Sequence, residues 1–188
     1  MFAVLMALGM MGCITGCKPA PAPPKVESVT PKDKGPIAEA TSPWEGYQDW
    51  YHATEGRPIT GDPTGFLGDK SLEQGYREVY VNKVGEEVNK GKAPYLYPAG
   101  TVMVRPVFSD KAAWEEKKSP ALTISIKLPQ GTAPESNDWD YVLIPPGEKE
   151  QHGRGASELG QFCTKCHLKA EETNDWRFTN AAFFAKQE

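Results

Sequence analysis

Cys163 and Cys166 stand three residues apart, and His167 follows the second directly, in the run Cys163-Thr164-Lys165-Cys166-His167. On a helix, residues three apart share a face, so two thiols at this spacing can each form a thioether with one vinyl group of a haem. The adjacent imidazole then reaches the iron as an axial ligand. C-x-x-C-H is the attachment signature of c-type haem, and one such motif implies one covalent haem. Three other chemistries use the same residue types. A thioredoxin-type C-x-x-C opens a helix within a βαβ pattern, whereas no strand closely precedes this motif. A structural zinc site needs four ligands, and the remaining histidines, His52 and His152, complete no second paired motif. A Cys163–Cys166 disulfide leaves His167 without a role. The haem reading employs all three residues.

Further side chains could meet the iron or its ligands. Of five Met, four (Met1, Met6, Met10, Met11) fall in the first seventeen residues, leaving Met103. Strand periodicity puts Thr101, Met103 and Arg105 on one face. Met103 as a ligand would make a six-coordinate, electron-carrying iron; the ordinary role of a lone strand Met is core packing. Arg105 can give a charge-assisted hydrogen bond to a haem propionate or to a bound ligand's oxygen, or it can sit in a structural ion pair, and the residue type leaves both open. His52, beside Trp50 and Tyr51, and His152, in a Gly-rich loop, read as ordinary residues. Trp139 and Tyr141 share a strand face that suits either a haem wall or a sheet core. Asp138, Asp140, Glu115 and Glu116 read as solvated.

The elements that must hold these groups follow from pattern and punctuation. Ser42-Pro43-Trp44-Glu45 has the form of a helix start, predicting a helix to about Thr54. Tyr76 to Val81 is rich in aromatic and β-branched residues and predicts a strand. Lys83 to Asn89 predicts a short helix ended by Gly91. Thr101 to Val104 predicts a strand that Pro106 limits or places at an edge. In residues 121–128, Leu122, Ile124 and Ile126 share one face, and Trp139 to Ile144 forms another strand closed by Pro145-Pro146-Gly147. From Ala156 to about Lys169 the Gly/Pro punctuation stops, which predicts a C-terminal helix carrying the haem attachment. The fold class is α+β: an antiparallel β-sheet with flanking helices.

The chain's 188 residues are 39% hydrophobic and 24% charged, with a net charge of −4. That is a globular composition, and an acidic one, without the basic face that nucleic acid demands. Residues 1–17 are apolar up to Lys18 and have the form of a secretory signal core. Ile14-Thr15-Gly16-Cys17 resembles a bacterial lipobox, with Cys17 as the acylated residue; the alternative is a plain cleaved signal with incidental Cys. No basic residue precedes the apolar stretch, which leaves a start upstream of Met1 open. Residues 18–43 hold seven of seventeen prolines and predict an extended linker, so the haem domain is expected at 44–188. The expected location is periplasmic, lipid-anchored to the membrane or secreted.

Several segments, in order, resemble the cytochrome P-460 family and its relatives, the beta-type cytochromes c-prime. Gly46-Tyr47-Gln48-Asp49-Trp50 is similar to the family's opening helix, and Arg77-Glu78-Val79-Tyr80-Val81-Asn82 to its first long strand. The run from Tyr97-Pro98-Ala99-Gly100-Thr101 to Val102-Met103-Val104-Arg105 resembles its Gly-Thr-Val turn and strand. Asn137-Asp138-Trp139-Asp140-Tyr141 resembles its Trp-containing strand, and Asn174-Asp175-Trp176-Arg177-Phe178-Thr179 its post-haem segment. The resemblance implies haem against an antiparallel sheet and a five-coordinate iron open to small ligands. It also implies binding of nitric oxide or oxidation of hydroxylamine, a redox partner protein and, in many members, a homodimer. The hydroxylamine-oxidising members link a Lys at the end of the Gly-Thr-Val strand to the haem edge. Arg105 stands at that position, and a guanidinium stays protonated and cannot act as the amine nucleophile. No lysine cross-link is therefore expected, and enzyme activity stays undecided. The alternative function is electron transfer by a six-coordinate haem.

Overall fold

The computed structural model describes residues 42–54, 58–60, 75–170 and 175–178. All belong to the second of the two units into which the chain divides, Thr41–Glu188. The leader, Cys17 and nearly all of the Pro-rich linker lie outside the described residues. Seven strands form one antiparallel sheet: β1 (Tyr51–His52), β2 (Tyr76–Arg77), β3 (Tyr80–Val81), β4 (Val102–Phe108), β5 (Ala121–Lys127), β6 (Trp139–Ile144) and β7 (Gln151–Gly153). The order is β1-β3-β4-β5-β6-β7, with β2 also on β4. Three helices flank it: α1 (Lys83–Lys90), α2 (Lys111–Glu115) and α3 (Glu158–His167). This is the expected α+β architecture with the C-x-x-C-H motif on its last helix.

Register decides what each face does. Val102, Val104, Ile124 and Val142 form a buried cluster joined by Leu122, Ile126 and Ile144, covered by Trp44, Tyr47 and Trp50. The opposite face has two rows running across three strands: Met103–Ser125–Tyr141 and Arg105–Thr123–Leu143. The apolar alternation of β5 thus points away from the functional side, and the small hydroxyls between those apolar residues point toward it.

Three local expectations are corrected. The opening helix is a 3-10 turn, Tyr47–Asp49, followed by a strand. Gly46 at φ 69° takes the left-handed region before the turn, and Trp50 is extended after it, so α-helical bonding cannot propagate. The spacing of Trp44, Tyr47 and Trp50 matches the three-residue turn that seats all three on the sheet. Pro106 lies inside β4, which is paired on both sides, so it neither limits the strand nor marks an edge. The predicted strand 76–81 is instead interrupted opposite it. β2 and β3 keep one register, with Glu78 donating its N–H to the Pro106 carbonyl at 3.1 Å. Pro106 has no N–H to return, and the Val79 N–H goes to Thr54 Oγ1 at 2.9 Å. Helix α2 and strand β7 had no forecast in the sequence.

Asp138 and Asp140 are buried, against the expectation of solvation. Asp138 accepts from the N–H groups of Gly131 and Ala133, both at 2.8 Å, closing the turn before β6. Asp140 receives the Arg154 guanidinium, with Nε at 3.0 Å. Each has the partners that burial of a carboxylate requires. Glu115 and Glu116 are exposed, as expected.

Candidate functional site

Helix α3 brings the motif to the sheet. Ser157 caps it, its Oγ accepting the Gly160 N–H at 3.0 Å. Gly160 packs against β7 so closely that a Cβ there would lie 2.8 Å from the Gly155 carbonyl oxygen and 2.9 Å from that of Gly153. The helix backbone can approach the sheet at its capped end only because no side chain intervenes. Its last two turns then carry Cys163, Cys166 and His167 over these two rows of the sheet. Between helix and sheet lies a cavity of about 880 Å³, counting space continuous with solvent, walled by Met103, Arg105, Thr123 and Tyr141 with Cys163, Cys166 and His167.

His167 has a defined tautomer. Its Nδ1 lies 2.9 Å from the Trp176 carbonyl oxygen; a carbonyl only accepts, so Nδ1 carries the proton and Nε2 keeps its lone pair. The ring stacks near Tyr141, with centroids 5.3 Å apart, and near Phe178 at 5.5 Å. Burial, with the Arg177 and Arg105 charges adding to it, holds the imidazole's pKa well below the ordinary histidine value. It is therefore a neutral donor, the form a metal ligand takes, oriented by a second hydrogen bond.

Cys163 and Cys166 are not joined in a disulfide. Burial raises the Cys163 thiol to about 11, although Arg105 and Arg177 pull the other way. A redox-active C-x-x-C needs a depressed thiol pKa, such as a helix N-terminus supplies, and these cysteines lie toward the C-terminal end of α3. Among the described residues no three His, Cys, Asp or Glu side chains converge as a metal cage. Two thiols three residues apart, a neutral imidazole with Nε2 unprotonated, and a cavity beside them fit the donor set of a covalently held haem.

Arg105 lines the same cavity, its Nε donating to Thr123 Oγ1 at 2.9 Å. Burial, reinforced by Arg77 and Arg177, lowers its pKa to about 10, which leaves it charged at neutral pH. Met103 shares the face and the cavity, as strand period two requires. Tyr141 lines it too, whereas Trp139, fully buried, lies beneath Arg177 and gives its Nε1 proton to the Asp175 carbonyl at 3.1 Å. His52 stacks on Tyr80 and His152 pairs with Glu150; neither is a wall of this cavity.

A family model, Cytochrome P460, matches residues 44–179. The chain belongs to the cytochrome P460 family. The match takes in the sheet, α3 and the segment after it, and the family is one of haem-binding cytochromes. No curated protein matches the chain.

Sequence reasoning missed four residues in and around this cavity. Thr123 and Ser125 alternate with the apolar residues of β5 and were hidden by them. Arg177 comes from the short segment after α3, lines the cavity and donates to Ser125 Oγ at 2.8 Å and to the Tyr141 hydroxyl at 3.0 Å. Asp175 is buried and accepts from the Tyr97 N–H at 3.0 Å, from Lys127 Nζ at 2.9 Å and from Asn137 Nδ2. The available signal was the Asp-Trp-Arg-Phe run itself, which carried a resemblance and no role.

Proposed function

We propose that this protein is an exported monohaem c-type cytochrome whose iron takes small nitrogen species, nitric oxide first. The observation that carries the reading is the convergence of Cys163, Cys166 and the neutral, Nδ1-anchored His167 on one cavity beneath the sheet. Cys163 and Cys166 would hold the haem through thioether bonds, each S–H adding across one vinyl group with no atom lost. His167, through its unprotonated Nε2, would ligate the iron. When bound, the haem would supply an iron able to take a small ligand. Tyr141 and Phe178 hold the imidazole plane, and Arg105 offers hydrogen-bond donors to an anionic oxygen.

Export rests on the leader-like residues 1–17, with Cys17 as the acylation site, and on the extracytoplasmic compartment in which thioether attachment takes place. A redox partner protein and a homodimer go with the family reading. Whether the protein turns over hydroxylamine depends on chemistry for which Arg105 is a poor substitute for Lys. A second reading, electron transfer by six-coordinate iron, is supported by Met103 in the cavity wall.

The test is the absorption spectrum of the purified ferrous protein with and without nitric oxide. A high-spin spectrum shifted by the gas is expected; a low-spin spectrum unmoved by it overturns ligand binding in favour of electron transfer. Turnover of hydroxylamine with an added electron acceptor would establish the enzyme. Covalent haem surviving the double change Cys163→Ser and Cys166→Ser on a denaturing gel overturns the attachment.

A further inference from the structure

Two guanidinium groups stand in the cavity wall, and among the described residues neither is paired with a carboxylate. The nearby ion pairs use other cations: Lys127 with Asp175, and Arg154 with Asp140. Arg177 is 2% exposed. Its Nη1 donates to Ser125 and its Nη2 to Tyr141, its guanidinium carbon lies 4.0 Å over the Trp139 ring, and its Nε has no hydrogen-bond partner. Arg105 spends Nε on Thr123, and its two terminal amino groups remain available as a fork. The aromatic faces offset part of the Arg177 charge, but a buried cation beside a half-buried one, with no anion between them, is costly.

Thr123 and Ser125 are two residues apart on the cavity face of β5, about 7 Å along the strand. They hold one arginine each, so the two cations are set side by side. The cations belong to the sheet and to the segment after α3, while the thiols belong to α3. A haem has the same division: the vinyl groups that thiols capture are on one edge, and two propionate carboxylates are on the other. Two neighbouring cations match two carboxylates in number and sign, and arginine's planar fork suits each of them.

We infer that Arg177 and Arg105 are the paired seat of the two haem propionates, with Arg177 positioned by Ser125, Tyr141 and Trp139. This rests on the haem reading above. The same donors could instead hold a free oxyanion such as nitrite, and the experiment separates the sources.

The holoprotein is prepared as Arg105→Met, Arg177→Met and Arg177→Lys. Resonance Raman spectra give the propionate bending band, and redox titration gives the midpoint potential. Both Met variants are expected to shift the band and lower the potential, because removing a cation destabilises the more negative reduced haem. Arg177→Lys keeps the charge without the planar fork, so the band shifts while the potential stays near wild type. This variant also decides the matter for Arg177 if Arg177→Met does not accumulate. Unmoved bands in both positions, or movement at one position alone, overturn the paired seat. So does a saturable absorbance change on titrating the wild type with nitrite that Arg177→Met abolishes, since the site would then serve a free anion. Protein that carries no haem overturns the parent reading; haem-loaded protein with unmoved bands overturns only this one.

Discussion

His167 gives its Nδ1 proton to the carbonyl of Trp176 at 2.9 Å, and Trp176 holds a left-handed backbone, φ 58°, to present that carbonyl. A bulky residue in this region is an outlier, and Asp175 before it is left-handed as well, at φ 49°. Strain of this kind persists only where surrounding contacts over-determine it. Here they do: the Asp175 carboxylate is tied to Tyr97, Lys127 and Asn137, and its carbonyl to Trp139. The backbone strain thus serves the orientation of one imidazole.

Asp175→Ala removes that anchor and leaves Lys127, only 12% exposed at its side chain, without its anion. Unfolding in urea should show a loss of about 3–5 kcal/mol, the usual cost of breaking a buried pair from one side. In the haem-loaded protein the iron–histidine stretching band should broaden or shift, because the Trp176 carbonyl no longer fixes the ring.

Gly160→Ala places a methyl group 2.8 Å from one backbone oxygen and 2.9 Å from another. Backbone cannot swing aside as a side chain can, so α3 must move outward. Thermal melts should show a loss of about 1–3 kcal/mol, typical of overpacking. The yield of covalent haem, read by haem staining, should fall with it.

Glu78 governs part of the acid limb of stability. Burial by itself would raise its pKa, but hydrogen bonds from Lys117, Trp114 and Tyr80 outweigh burial and hold the carboxyl below its ordinary value. A depressed carboxylate contributes stability that is fully present above the unfolded pKa and is lost as pH falls through the folded one. Chemical denaturation between about pH 7 and about pH 3 should therefore show a shallower acid loss in Glu78→Gln than in the wild type. Curves of equal slope would place the acid sensitivity elsewhere.

Haem mass should be found on one stretch of chain. Proteolysis of the holoprotein followed by mass spectrometry should give haem on the peptide bearing Cys163 and Cys166, and on no peptide containing Arg105, since a guanidinium does not form the lysine-type link. A haem-bearing fragment that includes Arg105 would contradict this.

Much of the scaffold was legible because its signals are local. Helix α1 has its Asn82 cap, the Oδ1 accepting from Gly85 N–H at 3.2 Å, and ends at Gly91. Strands β5 and β6 follow from alternation and β-branched content, and the C-x-x-C-H run needs only one helical turn to be recognised. Pro106 shows the limit: its effect falls on Glu78 and Val79, residues far away in sequence that become its neighbours through register.

By itself, the amino-acid order determined the α+β class, the placement of the attachment motif on the last helix and the face shared by Met103 and Arg105, since each depends on spacing within one segment. Only the tertiary structure decided which face of β5 meets the cavity, that Trp139 lies beneath Arg177 while Tyr141 lines the wall, and that Trp176 orients His167. Those relations join residues that hydrogen bonding across strands and burial bring together, and no periodicity within a segment encodes them.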